Sequence, residues 1–473
     1  GFEPGHVRRI LSIERAKTSP FHHSRALRNR LDLFFFLLEE KERRDPSDLA
    51  RKTLSNKKNA QENMSSFSEL PTVKPDAAFT LLAAYKIDTN PNKVDLCPGF
   101  YRDENGRPWI MSSVIQLIPR IQAKERVHAD PNVNHEHLPL AGHTELLRQS
   151  KELVFGKEDR DLKRVASIQT VSGTGANHLA ALFLSTKLNP KTVWFPNLGW
   201  INHTEIWKLA GSHVQQRFYP YFNAENQNID FDTMVEVLQE AQKGDVIVLH
   251  ACAHNPTGVD LSKEQWDNLA TICKNTGLFP VFDLAYQGLA SGDVRQDASA
   301  ISDFFDRGGL EFAVAQSYSK IFGLYGERIG MLHIAALDVT ATAKITPVLT
   351  QLSRAEITSC PSYGARIVSQ ILGDLKLYDQ WLKDLATMNN RMKTMREGLY
   401  HGLLVRKVQG SWKHILTDTG MFSMTGLSTT QVTAMKEKHH IYLLPSGRIS
   451  VTGLTTRNID HVVAALEDIL GTY

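Results

Sequence analysis

Polar segments at four places in the chain carry residue types that could act together in catalysis. They are Ser172-Gly173-Thr174-Gly175, His254-Asn255-Pro256, Asp283 and Ser317-Tyr318-Ser319-Lys320. The first lies between a strand pattern and a helix pattern, where free N–H groups and the helix dipole favour an anion such as phosphate. Glycine-rich turns of this kind are often purely structural, so the segment indicates a phosphate site only together with the others.

Lys320 and Asp283 add reactive groups to this set. A lone lysine is usually a solvated charge, but one placed beyond a buried strand can be desolvated. Desolvation lowers its pKa and makes the amine a nucleophile for a Schiff base. Asp283 could be a helix cap or turn residue; alternatively, its carboxylate could hold a protonated pyridine nitrogen, as a pyridoxal electron sink requires. A phosphate cradle, an amine nucleophile and a strand-end acid together suggest pyridoxal phosphate.

Three common nucleotide and hydrolase motifs are absent from the sequence. The third glycine of GxGxxG is replaced by His178, and neither GxxxxGK[ST] nor GxSxG occurs. The sequence therefore lacks the fingerprints of dinucleotide binding, of the P-loop and of the hydrolase nucleophile elbow.

A repeating order of strand, loop and helix begins near Val165 and is typical of a mostly parallel sheet. The predicted strands cover Val165–Val171, Val246–Ala251, Phe279–Phe282 and Phe312–Ala315. Ligands of open α/β sheets bind beyond the carboxyl ends of the strands. The four polar segments follow these strands, so they are expected to meet at one edge of the sheet.

Helix signals lie between and after these strands. A helix is predicted over Ala176–Leu188, and Ser262 with Gln265 forms a capping box for another helix that ends at Gly277. Near the C-terminus, Asn458 is predicted to cap a helix with one apolar face.

Composition restricts the partners and the location of the chain. Its 473 residues include 54 Lys plus Arg against 51 Asp plus Glu, and 42% are hydrophobic. A net charge of only +3 argues against a nucleic-acid partner, which would select a basic surface. The longest apolar run near the start, Leu33 to Leu38, is far below the roughly 20 residues of a membrane span. Four scattered cysteines without a CxxC pair fit a reducing compartment. We therefore expect no membrane segment and a cytoplasmic location.

Residues 1–63 are predicted to be a mobile N-terminal extension. The first thirty residues are basic and poor in acids, which leaves a mitochondrial transit segment as the alternative. The acidic cluster of Glu39, Glu40 and Glu42 weakens that alternative.

Six motifs resemble those of the aspartate aminotransferases, in that family's order and spacing. They are Val171-Ser-Gly-Thr-Gly-Ala-Asn-His178, Leu249-His-Ala-Cys-Ala-His-Asn-Pro-Thr-Gly-Val-Asp260, Phe282-Asp-Leu-Ala-Tyr-Gln-Gly288, Ser317-Tyr-Ser-Lys-Ile-Phe-Gly-Leu-Tyr-Gly-Glu-Arg328, Gly420-Met-Phe-Ser-Met-Thr-Gly426 and Tyr442-Leu-Leu-Pro-Ser-Gly-Arg448. The resemblance runs from about residue 68 to the C-terminus. It implies the α/β fold type I of pyridoxal-phosphate-dependent transferases, with a mostly parallel sheet in a large domain at 110–387. A smaller α/β domain would combine 64–109 with 388–473.

The resemblance also implies catalytic roles at positions that match the family's motifs. Lys320 matches the lysine that bonds the cofactor and then moves the substrate proton. Asp283 matches the acid on the pyridinium nitrogen, and Tyr286 the phenol on the cofactor O3′. Asn255 matches the amide that contacts this oxygen and the substrate carboxylate. Trp200 resembles the indole stacked on the cofactor ring and close to the substrate; alternatively it is an ordinary core aromatic.

Further matches imply how the cofactor phosphate is held. The implied phosphate-binding residues are Ser172, Gly173, Thr174, Ser317 and Arg328. His137 stands where the family usually has a tyrosine that reaches the phosphate across a dimer. A metal site formed by His135, His137 and His143 is the alternative for this segment, but solvated loop histidines explain it more simply, so no metal is expected.

Two arginines would select the substrate. Arg448 corresponds to the clamp on the α-carboxylate, and Gly99 to a glycine whose backbone approaches the substrate. Arg354 aligns with the arginine that reaches from the neighbouring subunit to the side-chain carboxylate. The resemblance therefore implies a homodimer that moves the amino group of L-aspartate to 2-oxoglutarate, giving oxaloacetate and L-glutamate reversibly. The alternatives are an aromatic or broad-specificity aminotransferase and a non-catalytic protein that keeps the fold.

The chain departs from the family pattern after Arg354. The usual Ser-Asn-Pro-Pro stretch appears as Thr358-Ser-Cys-Pro361. Loss of a proline and an asparagine is expected to loosen the loop that aims the arginine.

Overall fold

The structure, a computed structural model, describes residue 65 and residues 67–126, 134–156 and 160–472. The chain divides into two compact units, Gly1–Lys74 and Pro75–Tyr473. In the described part of the first unit, the Ser68 amide donates to the Ser65 carbonyl at 2.9 Å and closes a turn. The extension predicted over residues 1–63 lies outside the described residues.

The second unit opens with helices whose starts are capped by side chains. Its first elements are α1 (Ala77–Ile87), β1 (Val94–Asp95), α2 (Ser112–Arg126) and α3 (Thr144–Phe155). The Asp76 carboxylate accepts from two backbone amides at the start of α1, at 2.9 and 3.0 Å. His143 Nδ1 accepts from the Leu146 amide at 3.3 Å at the start of α3. This capping bond gives His143 a structural role.

The central part of the unit alternates strands and helices as predicted. It contains β2 (Val165–Val171), α4 (Ser172–Lys187), β3 (Thr192–Pro196), α5 (Asn202–Ala210), β4 (Gln215–Tyr219), β5 (Phe222–Asn223), β6 (Asn228–Ile229), α6 (Phe231–Leu238), β7 (Val246–His250), α7 (Lys263–Thr276), β8 (Phe279–Leu284), α8 (Ser299–Asp306), β9 (Phe312–Ser317) and β10 (Ile329–Ala335). Seven strands form one sheet in the order β2-β10-β9-β8-β7-β3-β4. Strand β10 is antiparallel to β2 and β9, and the other neighbours are parallel. The predicted mostly parallel α/β sheet is confirmed.

The C-terminal part is mainly helical and returns to pair with the start of the unit. It contains α9 (Val339–Ile357), α10 (Tyr363–Gly373), α11 (Leu375–Val405), α12 (His414–Thr417), β11 (Phe422–Met424), α13 (Thr429–His439), β12 (Ile441–Tyr442), β13 (Arg448–Ser450) and α14 (Ile459–Leu470). Strand β1 pairs with β12, and β11 pairs with β13. A smaller domain built from both ends of the unit stays a prediction; its proposed boundary at 387/388 falls inside the continuous helix α11.

Two predicted helix starts have different outcomes. The capping box of α7 is present, with the Gln265 amide donating to Ser262 Oγ at 3.2 Å and the Ser262 amide to Gln265 Oε1 at 2.8 Å. The helix ends at Gly277, whose φ of 74° lies in the left-handed region. Asn458 occupies the cap position of α14, but its side chain accepts from Thr455 and makes no bond to the helix. The predicted side-chain cap there is wrong because this amide braces the preceding turn.

Buried apolar side chains line both faces of the sheet. On one face Ile168, Leu179 and Phe195 belong to a cluster between the sheet and helices α4, α5 and α9. On the other face Phe282, Phe304 and the other members of a larger cluster extend into the C-terminal helices. The four cysteines are buried and free. Within the described ranges, no helix combines the length and the apolar character needed to cross a membrane.

Candidate active site

The carboxyl ends of four strands bring the predicted polar segments to one edge of the sheet. Ser172 directly follows β2, Asp283 lies near the end of β8, and Ser317 ends β9. The register places His250 of β7 opposite Asp283, and Asp283 opposite Ala315. The sequence prediction that these segments meet is confirmed by this strand order.

Asp283 is a buried carboxylate held by a histidine from another element. His203, in the first turn of α5, donates from Nε2 to Asp283 Oδ2 at 2.8 Å, and the Asn177 side-chain amide approaches the same oxygen at 3.4 Å. The two residues of the ion pair are only 8% and 3% exposed. Burial opposes the charge of Asp283, but the hydrogen bond and the charge of His203 hold the pKa of Asp283 below its ordinary value. The acid therefore stays ionised and can pair with a cationic ring nitrogen.

A row of aromatic rings continues from His203 into the large apolar cluster. The His250 ring lies edge-on to His203 at 5.2 Å and 4.3 Å from His254, which stacks on Tyr221 at 4.0 Å. Burial lowers the pKa of His250 to about 3 and that of His254 well below its usual value. These two rings are neutral, so they add no positive charge beside Asp283.

Lys320 lies beside Tyr286 in the same edge. Its Nζ is 5.1 Å from the centroid of the Tyr286 ring. Desolvation lowers the pKa of Lys320, and the Arg328 cation adds to this effect, although Asp283 opposes it. Burial also raises the pKa of Tyr286, so its phenol keeps its proton. A nucleophile needs an amine without its proton, which a lowered pKa favours, and a hydrogen-bond donor needs a phenol that keeps its proton.

The start of α4 forms an anion cradle with Arg328. The residue before this helix, Val171, has no side chain that could cap it, and Arg328 Nη2 donates to Ser172 Oγ at 2.6 Å. A Cβ added to Gly173 would lie 2.7 Å from the Ser317 Cβ, so the backbone comes close only because the side chain is absent. A helix start, its hydroxyls and a guanidinium suit a phosphate. With the buried acid and amine nearby, the residues present fit pyridoxal phosphate.

Arg448 forms a second cationic end of the site. Its Nη1 donates to Asn255 Oδ1 at 3.0 Å, and its Nη2 donates to the Cys97 carbonyl. The guanidinium lies 4.0 Å from the centroid of the Phe422 ring. Arg448 is only 8% exposed, and its Nε has no hydrogen-bond partner among the described residues. A buried cation with unused N–H donors, Nε among them, suits a carboxylate ligand.

Gly99 and Trp200 border the site from two directions. A Cβ on Gly99 would lie 2.8 Å from Phe422 Cζ, so only glycine allows this backbone to approach the ring beside Arg448. The Trp200 indole lies edge-on to the His203 ring at 5.1 Å and is partly exposed. Trp200 also packs against the apolar cluster on that side of the sheet, so the predicted cofactor contact stays a prediction beside the core alternative.

Arg354 and His137 do not join the group around Lys320. Both side chains are exposed, and no hydrogen bond or ion pair of either is found among the described residues. The segments that carry them nevertheless contact each other, because Ser359 Oγ donates to the Leu138 carbonyl at 3.2 Å and Arg366 Nη2 to the Asn134 carbonyl at 2.8 Å. The segments that carry the two residues therefore lie next to each other.

The departure at Thr358-Ser-Cys-Pro361 is anchored on both sides. Burial raises the pKa of the Cys360 thiol to about 12, so the thiol stays protonated and donates to the Gln169 carbonyl at 3.2 Å. The Gln169 side chain in turn donates to the Pro361 carbonyl at 3.0 Å. These two hydrogen bonds hold Cys360 and Pro361 against Gln169. The contacts therefore do not support the expected loosening of the loop after Arg354.

Sequence reasoning assigned no role to three residues that complete the site. They are His203 and Asn177 on Asp283, and Phe422 under Arg448. Asn177 and Phe422 lie in motifs quoted above, whereas His203 lies in the first turn of α5 after β3 and Asn177 in the second turn of α4 after β2. Their position after strand ends was the available signal, but only the fold shows which acid they contact.

Comparison with known proteins places this geometry in a family. The model of the aminotransferase class I and II family matches residues 91–466. The cytoplasmic aspartate aminotransferase of Schizosaccharomyces pombe is 40% identical, over 84% of this chain and 97% of its own length.

Solved structures agree with this match. The aspartate aminotransferase of the Saccharomyces cerevisiae cytoplasm has a TM-score of 0.81 and 36% identity, covering 86% of this chain and 98% of its own. An aromatic-amino-acid aminotransferase from Burkholderia pseudomallei, covalently bound to pyridoxal phosphate, has a TM-score of 0.80 and 33% identity, with coverage of 86% and 100%. On the sequence match, the shared fold and the arrangement around Asp283 and Lys320, this chain belongs to the class I and II aminotransferases.

Proposed function

We propose that this chain is an aspartate aminotransferase, which transfers the amino group of L-aspartate to 2-oxoglutarate and gives oxaloacetate and L-glutamate reversibly. The observation that carries this proposal is that a desolvated lysine, Lys320, and a buried arginine, Arg448, both lie near Tyr286. The S. pombe and S. cerevisiae relatives, both named aspartate aminotransferases, support it.

Pyridoxal phosphate is the cofactor, and when bound it supplies the electron sink that stabilises negative charge at the substrate's α carbon. In our proposal the helix start at Ser172 to Thr174, with Ser317 and Arg328, holds the phosphate. Asp283 pairs with the ring nitrogen because its carboxylate remains ionised. Tyr286 and Asn255 supply donors for the ring oxygen, and Trp200 covers one ring face.

The remaining groups act on the substrate. Arg448 binds the α-carboxylate through its unpaired donor and holds the Asn255 amide in place. The Lys320 Nζ takes the proton from the substrate α carbon, and its lowered pKa favours the unprotonated amine that this step requires. Pyridoxal phosphate held by these residues would carry the amino group from one substrate to the other, so ping-pong kinetics are expected.

An assay with two amino acids tests the function. The purified chain, supplied with pyridoxal phosphate and 2-oxoglutarate, should form oxaloacetate from aspartate with a higher kcat/KM than it shows for phenylalanine. The reverse order would identify an aromatic aminotransferase, the activity named for the B. pseudomallei relative. A chain that binds the cofactor but changes no absorbance with either amino acid would be the non-catalytic alternative.

His203→Leu is expected to weaken cofactor binding and to move the acid limb of the pH profile of activity to higher pH. Without the Nε2 donor, the pKa of Asp283 rises, because this bond and the His203 charge are the largest factors that lower it. The carboxylate is then lost at a higher pH as pH falls. A pH profile of kcat/KM should move its acid limb upward, and a cofactor titration should show about tenfold weaker binding.

His213→Leu provides the matched control for that prediction. His213 is exposed and lies before β4, so its loss should leave both measurements unchanged. An unchanged acid limb in a folded His203→Leu variant would contradict the role assigned to the histidine.

We also infer that the active form is a homodimer with shared sites. Arg354 and His137 are exposed in segments that contact each other, and neither has a contact with Lys320 among the described residues. A guanidinium suits the second carboxylate of a dicarboxylic substrate. The arginine would bind the substrate's side-chain carboxylate in the partner's site, and the imidazole would reach the partner's cofactor phosphate. A monomer that stays active at high dilution would contradict this arrangement.

Arg354→Leu is expected to remove the preference for dicarboxylic substrates. Losing one partner of a buried charge pair costs about 2–5 kcal/mol, so kcat/KM for aspartate should fall by roughly 30-fold to several thousand-fold. The value for phenylalanine should change by less than about threefold, because phenylalanine has no second carboxylate. Steady-state kinetics with both amino acids measure the difference.

A mixing experiment tests whether Arg354 acts across the dimer. Neither Lys320→Ala nor Arg354→Leu alone should turn over aspartate well. In a mixed dimer, however, the subunit with Arg354→Leu keeps its own lysine and receives an intact arginine from its partner. Dissociating and reassociating equal amounts should therefore restore about a quarter of the parental activity, since half of the dimers are mixed and each has one intact site. No restoration would mean that the arginine serves its own subunit.

We propose that the protein is cytoplasmic, as the names of the S. pombe and S. cerevisiae relatives state for those proteins. The test is subcellular fractionation of the full chain in cells of its own source. Recovery with mitochondria would favour the transit alternative for residues 1–63.

A further inference from the structure

A single carboxylate organises the loop that carries Asn255. This loop connects β7 to α7, and Asp260 lies near its end. Asp260 Oδ2 accepts from the Ala253 amide at 2.8 Å, and Oδ1 accepts from the His254 amide at 2.9 Å. Ala253 has a φ of 49°, in the left-handed region that costs energy for a residue with a Cβ. The carboxylate thus holds a strained turn directly before Asn255.

The same carboxylate joins this loop to the segment before β11. Thr419 Oγ1 donates to Asp260 Oδ2 at 2.7 Å, and the Thr419 amide donates to the Gly258 carbonyl at 2.6 Å. The two segments are in tight contact, since a Cβ on Gly420 would lie 2.4 Å from the Ala253 Cβ. Movement of one segment must therefore displace the other.

Both segments contact Arg448. The loop presents Asn255 Oδ1 to Arg448 Nη1, and the segment after Thr419 presents the Phe422 ring to the face of the same guanidinium. Asp260 forms hydrogen bonds with both segments, although it does not itself contact Arg448. Burial raises the pKa of Asp260, and the hydroxyl of Thr419 and the two backbone amides oppose that rise by favouring the charged form.

We propose that Asp260 is a positioning residue that sets the aim of Arg448 and Asn255 at the substrate α-carboxylate. This inference rests on the proposed function, because it assumes that Arg448 binds that carboxylate. Loss of the carboxylate releases the strained turn at Ala253 and the Thr419 hydroxyl together. The arginine then keeps its charge but loses the fixed orientation that a two-point contact with a carboxylate requires.

The test measures binding and turnover in variants of the full chain loaded with pyridoxal phosphate. Succinate, which has two carboxylates and no amino group, is titrated by calorimetry as a non-reacting probe. Asp260→Asn should raise the dissociation constant of succinate and the KM for both aspartate and phenylalanine by about tenfold, with a smaller change in kcat. Thr419→Val removes only the hydroxyl donor and should shift the same quantities by about threefold.

Asp245 offers a matched control at the other end of the sheet. This buried carboxylate also accepts from two backbone amides, those of Thr192 and Gln242, and from one side chain, Trp194 Nε1. It precedes β7, whereas Asp260 lies beyond its carboxyl end. Asp245→Asn should lower thermal stability as much as Asp260→Asn does, yet leave succinate binding and both KM values unchanged.

Different results would refute the inference about Asp260 and the proposed function. Unchanged succinate binding in a folded Asp260→Asn variant would overturn the inference, as would equal weakening by Asp245→Asn. If Asp260→Asn does not fold, Thr419→Val decides by the same measurements. A parent chain that binds the cofactor but does not transaminate aspartate would instead refute the proposed function.

Discussion

Lys320→Ala should reduce transamination of aspartate by about 10⁴-fold or more, while the protein stays folded. The expected loss combines two effects, since the variant has neither the amine nucleophile nor the group that moves the α-carbon proton. Folding should survive because burial already disfavours the charge of this lysine, so its removal relieves a desolvation cost. Steady-state oxaloacetate formation and thermal unfolding measure the two expectations.

The absorbance of the loaded protein gives a second reading of the same variant. Aspartate should change the visible absorbance of the cofactor-loaded parent, and this rapid change should be absent in Lys320→Ala. Lys93→Ala is the control, because the Lys93 ammonium bonds to the Tyr85 and Asp88 carbonyls, remote from the strand-end residues. That control should keep the parental rate. A Lys320→Ala variant with more than about one hundredth of parental activity would show that another group moves the proton.

Arg448→Leu should lower kcat/KM for aspartate and for phenylalanine alike, by roughly 30-fold to several thousand-fold. Both substrates are affected because every amino acid has the α-carboxylate that this arginine is proposed to bind. The pattern separates it from Arg354→Leu, which should affect aspartate alone. Kinetics with the two amino acids, at a saturating cofactor concentration, give the comparison.

Arg391→Leu controls for the structural part of that loss. Arg391 also links distant segments, donating to the Leu454 carbonyl at 2.7 Å, and its side chain is mostly buried. Both variants should lose stability, but only Arg448→Leu should lose activity. Equal kinetic losses in the two variants would mean that Arg448 acts through stability and not through the substrate.

The elements that carry the site were predictable because their signals are local. Strand β2 begins and ends at the predicted residues, and the capping box at Ser262 is present. Alternation, apolar runs and caps depend on neighbours a few residues away, so sequence alone contains them. The α4 start was placed four residues late, because glycine and serine at 172–175 give little helical signal, although helix α4 in fact begins at Ser172.

The candidate site could be assembled from the sequence only as a set of residue types at strand ends. Lys320, Asp283, Asn255 and Arg448 were all named from their motifs, and the sheet order explains why the first three meet. The placement of Arg448 could not be derived from its neighbours, since its partner Asn255 lies 193 positions earlier in the chain. Contacts over such separations depend on how the strands and helices pack.

The sequence by itself thus determined the strands, the order of the polar segments and the kind of chemistry that their side chains permit. Tertiary structure decided which of those groups touch, as His203 touches Asp283 and Asp260 touches Thr419, and it left the Arg354 side chain exposed. The physical reason is that side-chain chemistry and local backbone preference are properties of short segments. Protonation states and side-chain orientations depend on burial and on partners that only the folded chain brings together.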